Sequence, residues 1–162
     1  MKERLVVDTN VFVDWLFDVL DVNASSHVLL NLDKNNSRLV FSQDTIGELM
    51  YIMKKSCNRV NSTAEESLNV LTFISNLFLS AKSVNTKEIQ KDDQRPLCND
   101  ETDQMFIDAA LVSEAPYLIS LDKNSGMFDI EGQSFVCLLP EDYLSFKNTQ
   151  IKAAYGHEDH QG

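Results

Sequence analysis

The sequence predicts a three-layer α/β/α sandwich built around a short, mostly parallel sheet. Short apolar segments typical of buried strands alternate with longer segments of helical periodicity, and this pattern produces parallel sheets covered by helices on both faces. Glycine and proline number only 5 and 3 among 162 residues, which excludes a linker-rich disordered chain or a repeat array. We therefore expect one domain over residues 1–150 and a flexible C-terminal tail over residues 151–162.

Local patterns place the elements in chain order. Apolar runs predict strands at residues 4–8 (RLVVD), 38–42 (RLVFS), 82–85, 117–121 (YLISL) and 135–139 (FVCLL). Helical spacing and N-cap residues predict helices at about 11–22, 27–34, 43–56, 63–79 and 100–114. The polar segment 87–100, which contains Pro96, is predicted to be an exposed loop.

The composition indicates the cellular compartment in which the protein is expected. No run of about 18 uncharged apolar residues appears, so no transmembrane helix is predicted. The chain reaches Asp8 too early to hold the apolar segment of a secretory signal. Its three cysteines are scattered and odd in number, which argues against a disulfide framework or a zinc site and suits a reducing compartment. We expect a soluble cytoplasmic protein without a membrane partner.

The net charge of −11 limits the classes of molecule that the protein is expected to bind. A generic nucleic-acid binder is normally basic, because contacts to phosphates supply most of its affinity. Acidity therefore counts against nucleic acid as a first hypothesis. It leaves a basic protein partner, or carboxylates gathered around a divalent cation, and the charge alone does not choose between them.

Three aspartates are candidates for a site at the carboxyl edge of the sheet. Asp8 and Asp122 each end a predicted strand, where ligands collect in open α/β sheets. Asp103 lies on the same helical face as Phe106 and Ile107, the face expected to pack on the sheet. Gathered carboxylates repel one another unless a cation such as Mg²⁺ or Mn²⁺ offsets their charge, and metal-assisted phosphodiester hydrolysis is the reaction class that fits them.

Two other acids are predicted to lie on the surface. Asp108 falls on the helical face opposite Asp103, so we expect a solvated charge. Glu48 points away from the apolar stripe that runs through Ile46, Leu49 and Met53, and its own position indicates a surface glutamate.

Four segments, in the same order along the chain, resemble the PIN-domain ribonucleases. They are LVVDTNVFVDWL, RLVFSQDTIGEL, NDETDQMFIDAALVSEAPYLISLDKNSG and FVCLLPEDYLSF. Together they span roughly residues 4–146. The subgroup most similar is the small, single-domain toxin component of bacterial toxin–antitoxin pairs (VapC-like).

This resemblance implies a Rossmann-like fold and a Mg²⁺- or Mn²⁺-dependent endoribonuclease. By analogy Asp8, Glu48, Asp103 and Asp122 hold the metal and form the catalytic set, and a metal-activated water attacks the RNA phosphodiester. Products with 5′-phosphate and 3′-hydroxyl ends are expected. The resemblance also implies a homodimer and an antitoxin protein that blocks the cleft.

Two neighbours of the acids, Asn10 and Ser120, are predicted to support the ligands by hydrogen bonds. The basic residues that could contact RNA are Lys54, Lys55 and Arg59, at the end of the helix that carries Glu48, and Lys123. We favour helix capping as the role of the first three and a solvated turn position for Lys123. His157 and His160 have metal-like spacing, which we attribute to chance.

Three other functions compete with the nuclease. A haloacid-dehalogenase phosphatase needs a second aspartate two residues after the first, where this chain has Asn10. A response-regulator receiver needs an acid at the end of a mid-chain strand, and the predicted strands RLVFS and KSVN have none. The remaining alternative is a catalytically weak PIN-like module that binds a protein. Trp15 and Phe17 are candidates for a dimer face in either case, although we favour core packing for them.

Overall fold

A five-stranded parallel sheet organises the protein in the computed structural model, which describes residues 1–18 and 22–155. The strands are β1 (Glu3–Val7), β2 (Ser37–Phe41), β3 (Lys82–Ser83), β4 (Tyr117–Ile119) and β5 (Val136–Leu138). Their spatial order is β3-β2-β1-β4-β5, and every neighbouring pair is parallel. The strand order therefore reverses between β1 and β4, which in such sheets opens a crevice beyond the carboxyl ends of these two strands.

Within the described residues six α-helices cover the sheet, and the predicted three-layer fold is confirmed. They are α1 (Thr9–Val13), α2 (Ala24–Leu30), α3 (Gln43–Arg59), α4 (Ala64–Ser80), α5 (Gln104–Ser113) and α6 (Pro140–Tyr155). A π-helical turn (Asp14–Asp18) and two 3₁₀ turns (Ile89–Lys91 and Met127–Asp129) complete the described elements. Among the described residues, no helix is both long and apolar enough to cross a membrane.

Two apolar clusters form the core, one on each face of the sheet. Side chains alternate along a strand, so Leu5 and Val7 of β1 enter one cluster and Val6 enters the other. The first cluster packs under α1 to α4 and α6, and the second packs under α5. Trp15 and Phe17 belong to the first cluster, where Trp15 meets Phe73 edge to face at a ring-centroid distance of 4.8 Å.

The structure changes the predicted helix ends where side chains form caps and turns. The first helix begins at Thr9 instead of Val11, because Asp8 caps it by accepting a hydrogen bond from the Asn10 amide. The helix predicted from residue 100 begins only at Gln104. Asp100 accepts hydrogen bonds from the amide and hydroxyl of Thr102, and this local turn competes with helix.

The C-terminal region also differs from the expected boundary. Helix α6 continues through residues 151–155, which were predicted to begin a flexible tail. His157 and His160 lie outside the described residues.

Candidate metal centre

The crevice between β1 and β4 holds a cavity of about 450 Å³ lined by carboxylates. All four predicted catalytic acids line it: Asp8, Glu48, Asp103 and Asp122. Three further acids, which were not predicted from the sequence, also line it: Asp14, Asp18 and Asp100. No basic side chain is among its lining residues in the part of the chain that the structure describes. The cavity therefore suits a cation and disfavours a free anion.

Asp8 is the most deeply placed of these acids. It follows β1 directly, its amide donates to the Ile119 carbonyl across the sheet at 2.8 Å, and the residue is 4% exposed. Burial, together with the negative charges of Asp103 and Glu48, raises the pKa of Asp8 to about 7, although the hydroxyl of Ser120 opposes the rise. The fold thus holds this carboxyl where its ionised form is costly without a cation.

Ser120 and Asn10 join Asp8 to the end of β4. The Ser120 hydroxyl donates to Asp8 Oδ2 at 2.7 Å and accepts a hydrogen bond from the Asp122 amide at 3.1 Å. Asn10 Nδ2 lies 3.4 Å from Ser120 Oγ, and Asn10 Oδ1 accepts from the Leu121 amide at 3.2 Å. These bonds fix the relative positions of the two strand ends and of the aspartates that follow them.

Asp103 occupies the residue before the first turn of α5. Its side chain makes no capping hydrogen bond, so both carboxylate oxygens remain available to the cavity. The side chain is half-buried, and desolvation together with the charges of Asp100, Asp122 and Glu48 raises its pKa to about 6.

Glu48 points toward the cavity, which corrects the prediction of a surface glutamate made from the helical wheel. Its Oε2 accepts a hydrogen bond from the Thr9 hydroxyl at 2.7 Å, and the residue is half-buried. The prediction was wrong because the helical wheel located only the apolar face of α3 and gave no information about polar contacts on its other sides. Helix α3 also contacts α1. Glu48 lies on the side of α3 that faces α1, where the Thr9 hydroxyl donates a hydrogen bond to it.

Asp108 also differs from its prediction, because it is buried. Its side chain is 3% exposed and pairs with Arg95, whose Nε donates to Asp108 Oδ1 at 3.0 Å. Gln104 Nε2 donates to the same oxygen at 3.0 Å. The loop between β3 and α5 folds back over this face of the helix and brings the arginine, a non-local contact that no wheel can reveal.

The basic residues proposed to meet RNA lie outside the cavity lining. Arg59 pairs with Asp18 at 2.9 Å, Lys54 lines a separate groove between α3 and α4, and Lys123 is exposed. Asp100 could have been predicted as a lining acid, because it lies three residues before Asp103. Asp14 could not have been predicted, because its place depends on hydrogen bonds to Asn23 and Ser25 of the next helical segment.

The donor chemistry fits a hard divalent cation, although the ligands are not gathered into a closed cage. Within residues 1–18 and 22–155, no group of three or more His, Cys, Asp and Glu side chains is arranged so that it could hold a metal ion. Mg²⁺ commonly keeps several waters and uses only one or two protein carboxylates together with substrate phosphate. Asp8 is buried, no basic side chain pairs with it among the described residues, and other acids surround it, which matches this mode of binding.

A first prediction concerns the pH dependence of stability without metal. The pKa of Asp8 rises from 3.8 to about 7 on folding, so the folded state binds more protons than the unfolded chain between these values. Stability is therefore lost as the pH rises from about 4 to about 7. Asp8→Asn removes this penalty, and we expect roughly 2–4 kcal/mol of added stability at pH 8 but almost none at pH 4. Thermal unfolding in EDTA at both pH values measures the difference. An equal effect at both values would contradict the prediction.

A second prediction concerns Ser120, which is fully buried. Ser120→Ala removes the hydroxyl that holds Asp8 and Asp122, and we expect 10- to 100-fold weaker divalent-metal affinity. Ser125→Ala is a matched control, because Ser125 is also buried beside Asp122 but donates to its backbone carbonyl. Titration with Mn²⁺ compares the two variants. Equal affinities would show that the Ser120 hydroxyl does not support the ligands.

The model of the PIN domain family matches residues 4–124, a span that includes Asp8, Glu48, Asp103 and Asp122. No curated protein matches the chain.

Proposed function

Because the chain belongs to the PIN-domain family, whose members are generally nucleases, we propose that it is a cytoplasmic, metal-dependent endoribonuclease. The observation that carries the proposal is the position of Asp8: a buried carboxyl with a pKa raised to about 7, facing a cavity lined by acids at the switch point of the sheet. PIN domains typically use divalent metal ions. An acidic cleft of this kind favours a phosphodiester substrate only when a cation is present.

In this proposal Asp8, Glu48, Asp103 and Asp122 would surround a Mg²⁺ or Mn²⁺ ion and bind it directly or through its waters. Such an ion, when bound, would supply positive charge to the phosphate and make water a better nucleophile. Ser120 and Asn10 fix the orientation of Asp8 and the backbone next to Asp122. Thr9 fixes Glu48 through its hydroxyl. These hydrogen bonds hold the acids in place before substrate arrives, which reduces the reorganisation needed during reaction.

The proposal extends to the cellular role of the protein. We propose that the chain is the toxin of a toxin–antitoxin pair, that it forms a homodimer and that a protein antitoxin blocks the cleft. Support comes from the four resembling segments and from leucine side chains exposed on α4. Leu68, Leu71 and Leu79 are 60%, 44% and 79% exposed on this helix. Apolar surface of this kind marks interaction sites on soluble proteins.

Cleavage of end-labelled RNA tests the proposed activity. Single-stranded and hairpin RNAs are incubated with the protein and Mn²⁺, Mg²⁺ or EDTA, and the product ends are determined. We expect metal-dependent cleavage that leaves 5′-phosphate and 3′-hydroxyl ends. Cleavage that persists in EDTA would contradict the proposal, as would products with cyclic phosphate ends.

The second candidate function is a PIN-like module that binds a protein and has little catalytic activity. The net charge of −11 and the exposed leucines of α4 favour it. The intact acidic set opposes it, because mutually repelling buried acids destabilise a domain that does not use them. Absence of both cleavage and Mn²⁺ binding would make this module the better description.

A further inference from the structure

A second cavity, of about 690 Å³, lies beside the carboxylate cavity on the other side of Glu48. Glu48 lines both cavities. Asp44, Gly47, Glu48 and Tyr51 form one wall, and they share one face of α3 because they are spaced by three and four residues. Residues from the loop before α5 and from α5 itself form the opposite wall, including Gln90 and Met105. The two cavities are therefore neighbours along α3.

Tyr51 presents an aromatic ring at this cavity. The residue is 65% exposed, and among the described side chains no aromatic ring pairs with it. An aromatic side chain exposed beside a cleavage site is the group on which proteins stack unpaired bases. Tyr51 follows Glu48 by three residues, which is roughly 4.5 Å along the helix axis. This separation is short enough for a nucleotide next to the one being cleaved.

Gly47 keeps the wall next to Tyr51 open. It lies inside α3, where glycine is less favourable than alanine. A Cβ atom at this position would meet no other atom within 4 Å, so packing within the protein does not require glycine here. The missing side chain leaves free space one turn before the Tyr51 ring.

The charges around the cavity indicate which part of a nucleotide it accepts. Asp44, Glu48 and Glu101 line it. Among the described lining residues the one basic side chain is that of Arg95, which is already bonded to Asp108 and to the carbonyls of Gln90 and Asp92. A phosphate would be repelled here. A base is uncharged, and the amino groups of adenine, cytosine and guanine donate hydrogen bonds to carboxylates.

We propose that this second cavity is a nucleobase subsite, in which an unpaired base that flanks the cleaved phosphate stacks on Tyr51. The inference rests on the proposed ribonuclease function. It adds a specific contact, between the ring of Tyr51 and the base next to the cleaved phosphate.

Binding of a short, fluorescently labelled single-stranded RNA tests the subsite in protein that keeps all four proposed metal ligands. Ca²⁺ replaces Mg²⁺ and Mn²⁺ in this assay, so that an oxygen-binding cation occupies the cleft while cleavage is slow. We expect Tyr51→Ala to weaken binding about 5- to 100-fold and Tyr51→Phe to retain it, because the ring supplies the stacking. Gly47→Leu fills the free space and is expected to weaken binding without destabilising α3. Tyr155→Ala is the matched control, since Tyr155 is 70% exposed on α6 and lines neither cavity.

Two further readouts identify stacking on a base. In the cleaving enzyme, Tyr51→Ala should raise KM more than it lowers kcat, because a flanking base binds equally in the ground and transition states. An abasic nucleotide placed at each position in turn should weaken binding at one position only, and Tyr51→Ala should remove that sensitivity.

The outcomes separate this inference from the proposed function. If the RNA is cleaved and bound but Tyr51→Ala behaves like Tyr155→Ala, the subsite is overturned and the nuclease stands. Equal losses for Tyr51→Ala and Tyr51→Phe would assign the effect to the hydroxyl and overturn stacking. If the unaltered protein neither cleaves nor binds RNA, the proposed function fails and the subsite fails with it.

Discussion

Asp103→Asn is expected to reduce RNA cleavage by at least about 10³-fold, because a bound metal contributes several kcal/mol to stabilisation of the transition state. The side chain caps no helix and is half-buried, so asparagine fits its place with little change to the fold. The substitution removes one negative charge from a cluster in which Asp100, Asp122 and Glu48 already oppose its ionisation. Loss of activity therefore reports loss of a ligand and not loss of structure.

Initial rates with Mn²⁺ measure this effect, and circular dichroism verifies the fold of the variant. Asp142→Asn is the matched control, because Asp142 is an exposed aspartate in the first turn of α6, away from the cavity. Cleavage by Asp103→Asn at the rate of the control would mean that the activity belongs to a contaminant or to another site.

Asp108→Ala is expected to destabilise the protein by about 3–5 kcal/mol, because it leaves the guanidinium of Arg95 without its buried partner. The same oxygen also receives Gln104, whose side chain holds the loop through the Pro96 carbonyl and the Cys98 amide. For a chain of this size, such a loss lowers Tm by roughly 6–20 °C.

Thermal unfolding compares this variant with Glu88→Ala, which breaks the exposed Lys91–Glu88 pair in the same loop. The control should change stability by less than about 1 kcal/mol. The double replacement Arg95→Met with Asp108→Leu should recover most of the loss, because apolar residues remove the cost of burying charge. A loss in Asp108→Ala no larger than that of the control would show that the buried pair does not secure the loop.

Local pattern was sufficient to predict most of the fold. Apolar runs marked strands such as β2 within a residue of its ends, and capping residues marked the start of α4, where Thr63 and Glu66 form a capping box. The ends of α1 and α5 were less accurate, because Asp8 and Asp100 form local hydrogen bonds that compete with the expected helix pattern.

The positions of the site residues were harder to predict, because they depend on contacts between distant segments. Asp8 and Asp122 could be placed together, since both follow strands whose carboxyl ends share one edge of a parallel sheet. The positions of Glu48 and Asp108 could not be predicted from local pattern. The position of Glu48 depends on Thr9 in another helix, and that of Asp108 depends on Arg95 in a loop that folds back over α5. A helical wheel measures the periodicity of one segment and contains neither partner.

Calorimetric titration with Mn²⁺ is the most direct test that these carboxylates form a metal site. It is performed at pH 8, above the pKa of about 7 for Asp8, on the unaltered protein, on Asp8→Asn and on the Asp142→Asn control. We expect saturable binding, reversed by EDTA, that the control retains and Asp8→Asn weakens by at least about tenfold. Absence of binding by the unaltered protein, or equal binding by Asp8→Asn, would contradict the assignment of this cavity as a metal centre.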